Sequence, residues 1–192
     1  MIEHGQNRIP RGELSAGLPL RSPRPERSGP SEGNGVTMSH DTAADVDESH
    51  LRRALALARE AADAGDEPFG SLLVRDGEIV AESCNTIHTD DDVTAHPELK
   101  LARWAARELD AGELAETTMY TSTEPCPMCA GAMYHAGLRR VVFSTSAETV
   151  GEIAGAGLVM PSSEVFARGA ESVETVGPVL ESEGRAVHES FW

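Results

Sequence analysis

Two cysteines, Cys126 and Cys129, are separated by two residues, and this spacing limits both the local fold and the chemistry of the chain. Pro127 between them suits the first turn of a helix, where its missing N–H group costs nothing. Two thiols three positions apart lie on one face of that helix, close to an N-terminus whose partial positive charge favours thiolates. Because thiolates bind soft and borderline metals, the spacing predicts a metal site where a helix begins.

A third ligand is predicted at His96, in the tripeptide His96-Pro97-Glu98. Two sulfurs and one imidazole suit zinc, and a catalytic zinc keeps three protein ligands and one open position. The remaining cysteine, Cys84, has no neighbouring ligand at metal spacing. Glu98 is close enough to serve the open position without joining the ligands. The two motifs together therefore predict a hydrolytic zinc centre.

Other interpretations of these motifs stay open. Cys-x-x-Cys alone also occurs in redox pairs and zinc knuckles. A structural zinc site would need a fourth ligand, for which His88 is the only spare candidate nearby. A nucleic-acid editing enzyme would need clustered Arg, Lys and aromatic side chains. The chain has 32 acidic and 16 basic residues, and this net charge of -16 disfavours a nucleic-acid substrate.

The 192 residues suffice for one domain with a well-buried core. Residues 1–47 are rich in Pro, Gly, Ser and Arg and lack apolar periodicity, which predicts a disordered extension. Residues 48–192 are the predicted domain. Three cysteines, two of them at metal spacing, fit a reducing compartment, and no apolar run reaches the length of a membrane span. A cytoplasmic protein is expected.

The order of apolar runs and turns predicts a three-layer α/β/α sandwich with a mixed central sheet. Asp76-Gly77 predicts a two-residue hairpin turn, and Thr94 the cap of the second helix, which Gly112 ends. The glycines at 151, 155 and 157 indicate a loop. The predicted helices lie at 48–64, 95–110, 126–136 and 162–168. The predicted strands lie at 71–75, 78–83, 117–122, 140–144 and 171–176, before a polar tail at 178–192.

On these residues the chain resembles the zinc deaminases of the cytidine-deaminase fold, most of all the nucleobase deaminases of the guanine and cytosine type. His96-Pro97-Glu98 and Pro125-Cys126-Pro-Met-Cys-Ala-Gly-Ala132 carry the likeness. The resemblance implies one Zn²⁺ per chain, held by His96, Cys126 and Cys129, with Glu98 as the proton shuttle. It also implies a homodimer that releases ammonia from guanine, cytosine or an aza or triazine analogue. A nucleoside or tRNA adenosine deaminase is the alternative.

The resemblance also implies which residues bind the substrate. Asn85 matches an asparagine that hydrogen-bonds the base, and Phe69-Gly70 matches the edge of the pocket. Guanine deaminases tend to carry an acidic residue where this chain has Val150.

The last two residues, Phe191 and Trp192, are large aromatics at the end of a polar tail, so they are expected to dock. They either pack on an apolar patch or form a lid in which Trp192 covers the base. For the lid, Gly184 would let the tail fold back, and His188 or Glu189 would line the mouth. On the metal helix, Met133, Tyr134 and Leu138 are apolar enough for either a dimer face or a core.

Overall fold

The computed structural model describes residues 43–155 and 157–192. Five strands form one mixed sheet in the order β2-β1-β3-β4-β5. The strands are β1 Gly70–Arg75, β2 Glu78–Cys84, β3 Thr118–Thr123, β4 Arg140–Thr145 and β5 Glu174–Val176. The helices are α1 Ala43–Ala64, α2 Pro97–Glu108, α3 Ala111–Glu116, α4 Pro127–Ala136, α5 Ala147–Ala154, α6 Ser162–Phe166 and α7 Glu181–Glu189.

Helices cover both faces of the sheet because neighbouring residues of each strand point to opposite sides. Met119 and Val141 pack on one face with residues of α2, α4 and α6. Tyr120 and Val142, one position further along, pack on the other face with residues of α1. The predicted three-layer α/β/α architecture is therefore confirmed.

The hairpin and the parallel part of the sheet also agree with the sequence prediction. Asp76 and Gly77 have φ of 53° and 78°, the left-handed pair that a tight hairpin turn requires. β1 pairs antiparallel with β2 and β3, while β3 and β4 are parallel and joined through α4. This crossover carries the chain from the end of β3 directly into the cysteine motif.

Both metal-motif helices begin as predicted, although one cap differs. Cys126 is the N-cap of α4 and His96 the N-cap of α2, and each is followed by proline. The prediction that Thr94 caps α2 was wrong, because the Thr94 hydroxyl donates to the Asp92 side chain instead. α4 ends at Gly137, whose φ of 105° is the left-handed conformation expected of a helix C-cap.

Three helices were not predicted. α3 begins at Ala111, and its N-cap Asp110 forms a capping box with Glu113, so the prediction that Gly112 ends the preceding helix was wrong. α5 contains Gly151, which was assigned to a loop. α7 lies within the segment predicted as a polar tail.

At its N-terminal end the domain starts earlier than expected. α1 begins at Ala43, so residues 43–47 of the predicted extension are helical. Residues 1–42 lie outside the described part of the chain. Within the described residues, no helix is both long and apolar enough to cross a membrane.

The choice between dimer face and core on α4 is settled for two side chains. Met133 and Leu138 are completely buried within the core cluster on that face of the sheet. Tyr134 is half-buried and its hydroxyl accepts the Glu171 N–H. Met133 and Leu138 are therefore core residues.

Candidate metal centre and substrate pocket

The three predicted metal ligands converge in the fold. One ligand atom each from His96, Cys126 and Cys129 lies within 4.8 Å of the other two. The Cys126 Sγ is 3.9 Å from the His96 Nδ1. This convergence follows from the fold, because the N-termini of α2 and α4 meet at one edge of the sheet.

The chemistry and spacing of this group fit zinc. Zn–S and Zn–N bonds of about 2.3 and 2.0 Å at a tetrahedral angle put the sulfur and nitrogen about 3.5 Å apart, close to the observed distance. A hydrogen bond from Cys129 and another with His96 lower the pKa of Cys126 to about 4, so that this sulfur is a thiolate. Among the described residues, the candidate ligand group contains no fourth member, and His88 is exposed and outside it.

Glu98 is held beside this group by a chain of hydroxyls. The Ser71 hydroxyl donates to Thr121 Oγ1 over 2.9 Å, and the Thr121 hydroxyl donates to Glu98 Oε1 over 2.8 Å. All three side chains are buried, and burial raises the pKa of the Glu98 carboxyl. The carboxylate is therefore fixed in direction and favours the protonated form more than an exposed glutamate would. No motif in the sequence indicated Ser71 or Thr121.

A cavity of about 540 Å³ opens over the candidate ligands. His96, Cys126 and Glu98 are among the residues that line it. Its other walls are mainly apolar, and within the described part of the chain no Lys or Arg lines it. The apolar walls include Phe69, Met128, Val150, Leu158, Val159 and Trp192.

The carboxylate of Glu124 also lines the cavity, and both of its oxygens accept hydrogen bonds from other residues of the chain. Its Oε1 accepts the Ser162 N–H and hydroxyl, and its Oε2 accepts the Ala147 N–H. These two residues begin α6 and α5, between which lies the cavity wall with Leu158 and Val159. Glu124 therefore ties both ends of that wall to the strand leading into the cysteine motif. The sequence analysis did not single out this residue.

The C-terminal segment reaches the cavity through its last residue. Trp192 lines the cavity and is 48% exposed. The backbone N–H groups of Phe191 and Trp192 both donate to the His188 carbonyl, and these two bonds continue the last turn of α7. The His188 side chain is completely buried, with Nε2 2.8 Å from Thr123 Oγ1, whereas Glu189 is exposed. Of the predicted lid residues, Trp192 alone lines the cavity.

Gly184 is a packing position rather than a hinge. It lies within α7, and a Cβ atom on it would overlap Thr145 Oγ1 and Ser144 Oγ. Because glycine has no side chain, α7 can lie directly against the end of β4. The prediction that this glycine lets a flexible tail fold back was wrong.

The other predicted substrate residues lie at different depths. Phe69 lines the cavity, and its ring is nearly parallel to that of His96 with centroids 6.4 Å apart. Asn85 is completely buried behind Phe69 and is not among the residues that line the cavity; the Phe69 carbonyl accepts the Asn85 N–H, and among the described residues the Asn85 Nδ2 has no partner. Gly70 does not line the cavity. A Cβ there would lie 2.5 Å from the backbone of Ala54 and Ala58, so α1 requires glycine at this position.

Comparison with known proteins agrees with this geometry. Residues 44–145 match the family model described as the cytidine and deoxycytidylate deaminase zinc-binding region. A probable cytosine deaminase of Schizosaccharomyces pombe is 32% identical over 160 residues, which are 81% of this chain and 98% of that protein. The guanine deaminase of Bacillus subtilis is 45% identical over 98 residues, which are 50% of this chain and 63% of that protein.

Solved structures show a similar range of relatives. A structure from a study of A-to-I editing by tRNA:A34 deaminases superposes with a TM-score of 0.59 and 29% identity. The match covers 73% of this chain and 99% of that one. This chain is therefore similar both to proteins named as deaminases of a base and to one from a study of tRNA editing.

Proposed function

Because this chain belongs to the cytidine and deoxycytidylate deaminase family of zinc enzymes, we propose that it is a hydrolytic deaminase of a free nucleobase. Membership of the family gives the reaction class and the zinc, since the family region is a zinc-binding one. The proposal concerns the substrate and the residues that act on it. Guanine, cytosine and their aza or triazine analogues are the candidate substrates.

The character of the cavity carries this proposal. A nucleic-acid backbone is bound mainly through Arg and Lys, and single-strand binding adds stacked aromatics along a positive groove. Here no Lys or Arg lines the cavity among the described residues, while Glu67, Glu98 and Glu124 do. Apolar walls with few polar groups suit a flat, uncharged ring. The net charge of -16 acts in the same direction.

Two of the relatives support a base as substrate, since one is named a probable cytosine deaminase and the other a guanine deaminase. The tRNA:A34 deaminase relative supports the alternative. Val150, which stands where guanine deaminases tend to carry an acidic residue, is one of the apolar residues of the cavity wall. This favours a base other than guanine.

In the proposed mechanism, His96, Cys126 and Cys129 hold the zinc, and the protein moves the protons. When bound, zinc supplies the Lewis acidity that makes water nucleophilic near neutral pH. Glu98 takes a proton from water and gives it to the ring nitrogen next to the carbon that bears the amine. The water oxygen bonds to that carbon, the second proton passes through Glu98 to the amine, and ammonia leaves. The raised pKa of Glu98 suits a group that must hold a proton between these steps.

Three further residues orient and enclose the base in this proposal. The free Asn85 Nδ2 donates to the ring, since its Oδ1 is already taken by the Ile87 N–H. Phe69 forms one wall of the pocket. Trp192 covers the base as a lid supplied by the same chain. A homodimer remains part of the proposal, and sedimentation of the purified protein tests it.

An ammonia-release screen tests the substrate class. The zinc-loaded protein is offered guanine, cytosine, adenine, aza and triazine analogues, the matching nucleosides, and tRNA. The expected result is ammonia release from at least one free base, with kcat/KM at least tenfold higher than for any nucleoside or tRNA. A tenfold difference corresponds to about 1.4 kcal/mol of discrimination. Faster release from a nucleoside or from tRNA would overturn the proposal.

A further inference from the structure

The chain contains a single lysine, Lys100, among its 16 basic residues. This lysine is not a surface residue with a solvated head group. It lies half-buried on α2, and its Nζ donates to the Cys84 carbonyl over 2.6 Å and to Thr86 Oγ1 over 2.9 Å. Burying an ammonium group is costly unless its donors are satisfied. The position of these two acceptors therefore matters.

The two acceptors flank Asn85 on both sides. The Asn85 N–H donates to the Phe69 carbonyl over 2.9 Å, and its Oδ1 accepts the Ile87 N–H over 2.9 Å. Within the part of the chain that the structure describes, the Nδ2 group of this buried amide is left without a partner. The chain direction at Asn85 therefore decides where that free donor points, and Lys100 bonds to the residue before it and the residue after it.

We propose that Lys100 is a positioning residue that fixes the turn around Asn85 and thereby aims the Asn85 amide at the substrate. The inference rests on the proposed role of Asn85 in holding the base. Neither Lys100 nor Asn85 is among the residues that line the cavity, and Asn85 lies behind Phe69, which does. Lys100 bonds to the residues on either side of Asn85, so it acts through the turn.

The network beyond Thr86 strengthens the clamp. The Thr86 hydroxyl accepts from Lys100 and donates to Asp90 Oδ2 over 2.6 Å, which ties the turn to the following loop. The Thr86 N–H donates to the Ala95 carbonyl, one residue before His96. The clamp therefore joins the Asn85 turn to the helix that carries His96 and Glu98. A shift of the turn would move the amide relative to the metal centre.

Lys100→Met tests the clamp, because methionine has a similar shape and no donor. Arg75→Met is the matched control, because it also removes a half-buried cation. Arg75 pairs with Glu113 at the end of β1 that is far from Phe69 and the Asn85 turn. Amide hydrogen exchange is measured at Asn85, Thr86 and Ile87. We expect exchange at these amides to become about tenfold faster in Lys100→Met, as in a local opening, and to stay unchanged in Arg75→Met. Unchanged exchange in Lys100→Met would overturn the proposal.

A double-mutant cycle then tests whether the clamp acts through Asn85. On the best free base from the screen, we expect Lys100→Met to lower kcat/KM by about 10- to 100-fold with zinc content unchanged, as for a misplaced contact. In an Asn85→Ala background, the same change should cost less than about twofold, because residues acting as one unit are not additive. Additive losses would overturn the proposal.

The two measurements separate this inference from the proposed function. If the wild-type protein released ammonia from no free base, the proposed function would fail and the substrate role of Lys100 with it. Hydrogen exchange would still decide whether Lys100 holds the turn. Lys100→Arg adds a further check. The Lys100 Nζ donates to both acceptors, and a planar guanidinium cannot reproduce this geometry, so kcat/KM of Lys100→Arg should lie between those of Lys100→Met and the wild type.

Discussion

His188 makes the stability of this protein depend on pH in a calculable way. The imidazole projects from α7 and is completely buried, with Thr123 Oγ1 as the partner of Nε2 and, among the described residues, no partner on Nδ1. Among the described residues, no carboxylate offsets the effect of this burial. Burial alone lowers the pKa of His188 from its ordinary value of 6.5 to about 4.

The sign and size of the effect follow from these two pKa values. The unfolded chain binds a proton at His188 near pH 6.5, whereas the folded chain does so only near pH 4. The folded state therefore has its full stability above pH 6.5 and loses it as the pH falls towards 4. Between pH 7.5 and 5.0, linkage over these pKa values gives a loss of about 2 kcal/mol from this residue alone.

Urea unfolding at pH 7.5 and 5.0 measures this loss in the wild type and in His188→Gln. Glutamine is uncharged at both pH values and can still bond to Thr123. All other titrating groups, including the zinc ligands, are common to both proteins, so their contributions cancel in the comparison. We expect the wild type to lose about 2 kcal/mol more than the variant. Equal losses in the two proteins would refute the assignment of a buried, neutral His188.

Three other predictions follow from the site and the surface. Cys126→Ala and Cys129→Ala should each abolish zinc binding and lower the melting temperature, because metal binding and folding are linked. Metal analysis and calorimetry measure the two effects, and a variant that kept its zinc would contradict the ligand assignment. Trp192→Ala should raise KM with zinc content and melting temperature unchanged, and an unchanged KM would leave Trp192 only a packing role. Raising KCl to molar concentration should raise the melting temperature, because salt screens the repulsion within a net charge of -16; a falling melting temperature would contradict this.

The parts of the fold that could be predicted are those with strong local signals. Asp76-Gly77 determines a hairpin turn by its own backbone preferences, and the prolines after His96 and Cys126 mark helix starts. The ligand spacing then placed the metal centre at those starts. Each of these signals lies within a few residues of the feature it predicts.

The unpredicted parts depend on contacts between distant residues. Gly151 suggested a loop, yet within α5 it leaves room for Val159, which a Cβ there would overlap. Gly184 within α7 likewise allows contact with β4. α7 resembled a polar tail because, besides that glycine, only Val187 and His188 are buried along it.

The same reason explains which site residues escaped the sequence analysis. His96, Glu98, Cys126 and Cys129 belong to a motif whose chemistry is recognisable from residue type and spacing. The residues around them act through hydrogen bonds across the sheet or between elements. Ser71 and Thr121 hold Glu98, Glu124 holds the cavity wall, and Lys100 bonds to the residues on either side of Asn85. A serine, threonine or lysine has many roles, so its type alone does not predict this one.

The central claim is that Glu98 moves protons beside a zinc ion that it does not bind. The most direct measurement is zinc content and ammonia release for Glu98→Gln, compared with the wild type on the best free base. The variant should keep about one zinc per chain, as expected for one set of three protein ligands. Its kcat should fall by about 100- to 10,000-fold, the usual contribution of general acid–base catalysis. Near-normal turnover, or loss of the zinc, would contradict the account.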